Sequence, residues 1–153
     1  MNNLLLVACL LIMAFSRCSK NQPGCMPVKP EAEEPQIIAY AAKDSIHANK
    51  HSSGIYYEII DPGSGIAPTI NSNLSVTYTG KLLNGTKFDE QTNPVDFNLS
   101  GVIEGWQIGI PLIKKGGRIK LIIPSAYAYG CNGSGSIPPN SALFFDVNLI
   151  DVK

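Results

Sequence analysis

Gly101-Val102-Ile103-Glu104-Gly105-Trp106-Gln107-Ile108-Gly109-Ile110-Pro111-Leu112-Ile113 decides how the rest of the chain is read. It holds the only tryptophan, set among apolar residues and glycines. Trp106, Ile110 and Ile113 stand at i, i+4 and i+7, the spacing of one apolar helix stripe. Lys114, Lys115, Gly116 and Gly117 come next: cations suit the negative end of a helix, and glycine suits a left-handed stop. Pro111 removes a backbone donor inside this helix and should leave its second half irregular. The stretch therefore predicts one short helix that faces a sheet.

The sheet is read from alternation on either side of it. Ile55, Tyr57 and Ile59 alternate with Tyr56, Glu58 and Ile60 before the turn residues Asp61 to Gly65. Leu74, Val76, Tyr78 and Leu82 alternate with Ser75, Thr77, Thr79 and Lys81, and Asn84-Gly85 is a hairpin signal that returns the chain into Thr86-Lys87-Phe88. Val95 to Leu99 is a further short strand with Pro94 at its start. Ile119, Leu121 and Ile123 alternate with Arg118, Lys120 and Ile122. Leu143, Phe145, Val147 and Leu149 alternate with Phe144, Asp146, Asn148 and Ile150. The expected class is α+β, a curled antiparallel sheet of about five strands wrapped around one short helix.

Charge and length narrow the class of function. Twelve basic and twelve acidic residues cancel in a chain of 153, and no basic stripe marks a nucleic-acid binder. No CxxC or Cys/His cluster is present, and His47 and His51 lack a third ligand, so neither metal nor cofactor is expected. A monomer is the expected state.

The N-terminus reads as an address. Leu4 to Phe15 is an unbroken apolar run of signal-peptide length, too short to span a bilayer as a helix. Cys18 follows closely, as the acylated cysteine of a bacterial lipoprotein does, although Arg17 stands before it and no basic residue precedes the apolar run. The expected organisation is a signal peptide over 1–17, a flexible tether over 18–30, a short helical lead over 31–53 and a folded domain over 54–153. In the lead, Glu31 to Lys43 suits a short helix with Pro35 in its first turn. With Cys25 in the tether and Cys131 in a remote glycine-rich loop, no intrachain disulfide is expected.

Pro124 to Ser141 is a long connection containing Tyr127-Ala128-Tyr129-Gly130 and Ile137-Pro138-Pro139. Loops of this length in compact domains tend to carry function or be disordered, and the tyrosines favour order.

Six motifs taken together resemble the FKBP-type peptidyl-prolyl cis-trans isomerases. They are Val76-Thr77-Tyr78-Thr79-Gly80, Asn84-Gly85-Thr86-Lys87-Phe88-Asp89, Val102-Ile103-Glu104-Gly105-Trp106, Tyr127-Ala128-Tyr129-Gly130, Ile137-Pro138-Pro139 and Leu143-Phe144-Phe145-Asp146-Val147. The resemblance implies a pocket with Trp106 as its floor, Tyr78, Phe88, Val102, Ile103 and Phe145 as walls, and Ile137 in an overhanging loop. It implies that the Tyr129 hydroxyl and the Ile103 N–H donate to substrate carbonyls, and that Asp89 is the pocket carboxylate. Val95 stands where the family often has a larger aromatic residue, and Ser136 replaces an apolar one; both open the pocket.

What the resemblance implies for activity is acceleration of X-Pro rotation in exported, unfolded or partly folded polypeptides. The alternative is a non-catalytic proline-peptide binding or chaperone module. Macrolides such as tacrolimus or rapamycin are the small-molecule ligands it implies, with affinity lowered by the open pocket. The location implied is the bacterial cell envelope, with a lipid anchor at Cys18.

Overall fold

The computed structural model describes residues 24–153. The predicted signal segment and Cys18 lie outside the described residues. Six strands form one antiparallel sheet: β1 (Asn49–Lys50), β2 (Tyr56–Asp61), β3 (Asn73–Leu82), β4 (Lys87–Asn98), β5 (Arg118–Ile123) and β6 (Leu143–Val152). Their spatial order is β1-β2-β5-β6-β3-β4. Two helices accompany them, α1 (Pro30–Lys43) and α2 (Glu104–Gly109).

This corrects the expectation of about five curled strands around one helix. The sheet is open, ending at β1 on one side and β4 on the other. Asn49–Lys50 adds an edge strand too short to show in the sequence pattern, pairing with Tyr56 and Tyr57. Lys87–Phe88 and Val95–Asn98, from segments read as separate, belong to one long β4 that follows β3 through two register shifts, and Leu99 opens a 3-10 turn. The physical reason for the open form is cover on both faces. Residues i and i+1 of a strand point to opposite sides, and here both sides are apolar. Leu121 and Ile123 of β5, with Leu143, Phe145 and Val147 of β6, join Trp106 and Ile110 in one buried cluster. Tyr56, Ile122 and Phe144, one residue out of phase, join Ile37, Tyr40 and Ala41 of α1 in a second. A sheet sandwiched in this way has no bare face left to wrap inward.

Helix α1 starts with Pro30 at its first position, where a missing N–H costs nothing. Pro35 was expected in that first turn; it lies one turn further in, where it cannot donate to the Glu31 carbonyl. Glu33 is 2% exposed and accepts from the Ser125 backbone N–H (2.8 Å) and hydroxyl (2.9 Å). Tyr56 donates to Glu34 (2.6 Å), which also pairs with Lys50 (2.8 Å). Polar contacts thus frame the apolar contact of α1 with the sheet.

Cys25 and Cys131 form a disulfide, with Cα atoms 5.3 Å apart, which overturns the expectation of free thiols. Their separation of 106 residues in sequence hid a proximity that only the docking of the N-terminal segment creates. Asn140 donates to the Met26 carbonyl beside it (3.1 Å).

Closing a loop of this size restricts the unfolded chain, an effect of about 2–4 kcal/mol in typical proteins. Reduction, or Cys25→Ser with Cys131→Ser, is expected to lower the unfolding free energy by about that amount while leaving the far-UV spectrum unchanged. Denaturant titration with and without reductant measures it; an identical midpoint in both would refute the linkage.

Candidate functional site

Helix α2 is six residues long and continues as a 3-10 turn over Ile110–Leu112. The change falls where Pro111 was expected to disturb the helix. Two glycines bring α2 down onto the sheet. A Cβ on Gly105 would crowd three carbons of Ile123, and one on Gly109 would lie 2.5 and 2.8 Å from the Leu121 methyl carbons. Both partners are fully buried on β5, so any larger residue would have to lift the helix. Gln107 closes the entry to α2, its amide donating to the Val102 carbonyl (2.7 Å). The chain is thereby committed to presenting Trp106 at the sheet surface.

Trp106 is 5% exposed and lies at the centre of an aromatic group. Its ring centroid is 5.1 Å from Tyr78, 5.2 Å from Phe145 and 5.4 Å from Phe97. Phe88 stands edge-on to Phe145 at 5.6 Å. Such edge-to-face pairs contribute about 0.5–1.5 kcal/mol each beyond their buried area, so the arrangement resists collapse. Above it opens a cavity of about 330 Å³, lined by Tyr78, Phe88, Asp89, Val95, Phe97, Gly101, Val102, Ile103, Trp106, Tyr129 and Phe145.

Eight of the nine residues singled out in the sequence meet at this cavity. Ile137 does not line it; the side chain is buried in the core cluster instead. Phe97 and Gly101 line it and were missed. The signal for Phe97 was its position two residues after Val95, since alternate residues of a strand share a face. Val95, expected to open the pocket by its small size, lies in the cavity wall.

The polar groups are few. Tyr78 donates its hydroxyl to Asp89 Oδ2 (2.5 Å), and Asp89 Oδ1 accepts from the Glu90 N–H (2.8 Å). Burial, first, and then the Asp89 hydrogen bond and charge raise the Tyr78 hydroxyl well above its ordinary value. Tyr78 is therefore a neutral donor across the ordinary pH range. Tyr129 is 38% exposed at the rim, so its hydroxyl-bearing ring is open to a ligand. The Trp106 indole N–H is buried and has no hydrogen-bond partner. Among the described residues, no Ser-His-Asp or Cys-His arrangement borders the cavity. Such a site can hold a ring in a dry, shaped environment and offer a few donors to carbonyls. It is not equipped to attack a bond.

Comparison with known proteins agrees with this geometry. Residues 65–150 match the family model described as FKBP-type peptidyl-prolyl cis-trans isomerase. The FkpA isomerase of Escherichia coli (strain K12) is 48% identical over 105 residues, covering 67% of this chain and 39% of its own length. The Mip isomerase of Coxiella burnetii is 38% identical over 126 residues, covering 80% of this chain and 55% of its own. The crystal structure of E. coli FkpA superposes with a TM-score of 0.72 at 41% identity, covering 81% of this chain and 61% of that one. A peptidyl-prolyl cis-trans isomerase from Pseudomonas syringae superposes at 0.70 and 32% identity, covering 84% and 98%. The chain spans less than half the length of the FkpA relatives it matches.

Because Tyr78 and Asp89 touch within the pocket wall, their substitutions should not add. In a double-mutant cycle of Tyr78→Phe and Asp89→Asn, a coupling on the order of 1 kcal/mol in unfolding free energy is expected. Strict additivity would mean that the hydrogen bond contributes nothing in solution.

Proposed function

The chain belongs to the FKBP-type peptidyl-prolyl cis-trans isomerase family, and on that premise we propose that it accelerates rotation about X-Pro bonds in polypeptides. The observation that carries this reading is the convergence of Tyr78, Phe88, Trp106, Tyr129 and Phe145 on one mainly apolar cavity that, among the described residues, no serine, cysteine or histidine lines.

Amide resonance sets a rotational barrier of roughly 18–20 kcal/mol. At the top of that barrier conjugation is broken and the carbonyl is less polar than in the planar amide. Transfer from water into an aromatic pocket therefore costs the twisted amide less than the planar one, and the difference lowers the barrier. The proline ring rests on Trp106, within walls formed by Tyr78, Phe88, Val102, Ile103 and Phe145. The Tyr129 hydroxyl and the Ile103 N–H donate to carbonyls on either side of the bond and hold the peptide in a turn. Asp89 holds Tyr78 upright and presents its charge to polar parts of a ligand. No proton changes hands in this scheme.

The substrates on this reading are proline-containing segments of unfolded or partly folded chains, with one apolar neighbour preferred. Macrolides of the tacrolimus and rapamycin type fit the same cavity less well, because Val95 leaves one wall low. The family-like body extends over 54–153, and the 31–53 lead packs onto it through α1 and β1. The FkpA and Mip relatives compared above are bacterial, which agrees with the lipoprotein-like run Leu4 to Phe15 and Cys18. On that pattern the protein is exported to the cell envelope and anchored through an acylated Cys18, and the 18–30 tether is fastened to the domain at Cys25 by the bond to Cys131.

Two outcomes are expected. First, the chain at micromolar concentration should shorten X-Pro exchange below the uncatalysed tens of seconds. The rate should be nearly flat between about pH 6 and 9, because raising the Tyr78 ionisation keeps that hydroxyl protonated throughout and no general acid or base takes part. Tyr129→Phe should reduce kcat/KM about fivefold, the worth of one neutral hydrogen bond, and Phe88→Ala should reduce it further. A folded chain that binds proline peptides at the uncatalysed rate would instead be a binding module. Second, mass spectrometry of the mature protein should find lipid on Cys18, and Cys18→Ala should release it from membranes; an unmodified mature N-terminus elsewhere would end that reading.

A further inference from the structure

The 124–141 loop carries Tyr129 to the pocket rim, yet much of what holds it lies in the N-terminal lead, outside the segment that matches the family. Glu33 is the central case. A carboxylate 2% exposed is costly to bury unless it is paired, and no lysine or arginine pairs with it among the described residues. Both of its short hydrogen bonds go to one residue, Ser125, at the root of the loop. Burial, first, raises its ionisation, and the two Ser125 donors partly offset that.

Ser125 in turn closes the loop on itself. Its carbonyl accepts from the Ala128 N–H (3.0 Å) and from the Gly130 N–H (2.8 Å), the residues on either side of Tyr129. The Gly130 carbonyl then accepts from the Asn140 N–H (2.8 Å), and Tyr127 donates to the Ser53 carbonyl (2.6 Å). The Ser125 N–H and C=O lie in successive peptide planes joined at its Cα, each plane rigid in itself. Holding the N–H from one side and the C=O from the other therefore restricts φ and ψ of Ser125, and with them the start of the short turn that leads to Tyr129.

We propose that Glu33 is a positioning residue for the pocket, acting through Ser125 to hold the Tyr129 hydroxyl where it can donate to a bound peptide. This rests on the isomerase reading above. A hydrophobic residue at position 33 would serve α1 packing as well as or better than a buried carboxylate. What it could not do is accept two hydrogen bonds from the root of the loop.

The test uses the full chain and five proteins: wild type, Glu33→Ala, Glu33→Gln, Tyr129→Phe and the Glu33→Ala/Tyr129→Phe double variant. kcat/KM is measured on a proline peptide well below each unfolding midpoint, and peptide affinity is followed by fluorescence of the single Trp106. Glu33→Ala is expected to lose about fivefold, matching Tyr129→Phe. The double variant should lose no more than Tyr129→Phe alone. Glu33→Gln keeps an acceptor oxygen and should stay within about twofold of wild type. If Glu33→Ala does not fold, Ser125→Ala removes one of the two hydrogen bonds and should show a smaller loss that also disappears in the Tyr129→Phe background. A folded Glu33→Ala with wild-type activity, or a loss that multiplies with that of Tyr129→Phe, would overturn the proposal and leave Glu33 a purely structural group. An inactive wild type would sink the isomerase reading instead; the same cycle read by peptide affinity would then decide the role of Glu33.

Discussion

The close approach of α2 to β5 is the constraint on which the pocket depends. A short helix can sit directly on a strand only where it lacks side chains at the contact, and Gly105 and Gly109 supply that absence opposite Ile123 and Leu121. Once the helix is down, Trp106 has nowhere to go but between Tyr78, Phe97 and Phe145. Gly80 plays the same part on β3, leaving room for the Phe88 and Phe145 rings to meet edge to face. Three missing Cβ atoms therefore shape a cavity walled mainly by aromatic rings.

The second organising fact is that the sheet is dressed on both sides. The α2 face carries the pocket, and the α1 face ties the N-terminal lead to the body through Tyr56, Ile122 and Phe144. The N-terminal segment from Cys25 to Ser53 then reaches round to the 124–141 loop, through Glu33 to Ser125, Ser53 to Tyr127, Met26 to Asn140 and Cys25 to Cys131. Four attachments from one segment to one loop make that loop an ordered part of the fold. The cavity rim and the back of the sheet are in this way parts of a single packed unit.

The chemistry suited to such a cavity is that of environment. Its more buried hydroxyl, Tyr78, is kept neutral by burial and by its bond to Asp89. Shape, low polarity and a few donors are what remain to act on a substrate, and these suit a bond that must rotate and not break. The surface ion pairs, such as Arg118 with Asp146, lie away from the cavity and contribute little individually.

Most of the pocket was legible in the chain through the six motifs that resemble the FKBP-type family, and its framework through local and periodic pattern. Alternation placed Tyr78 and Phe145 inward, the i, i+4, i+7 stripe placed Trp106, Ile110 and Ile113 in the core, and Pro111 marked the end of the regular helix. Ile122, Phe144 and Tyr56 were visible as apolar residues on the nominally polar side of their strands, but alternation alone could not show that these three strands are neighbours. That adjacency comes from pairing across the sheet, which depends on residues far apart in sequence. The tertiary structure alone decided the second helix layer and the open sheet. It also decided the Cys25–Cys131 bond, the burial of Ile137 in the core cluster and the grip of Glu33 on Ser125. Each of these joins segments that local patterns treat separately, because a contact between distant parts of a chain is set by packing of the whole and leaves no period in the sequence.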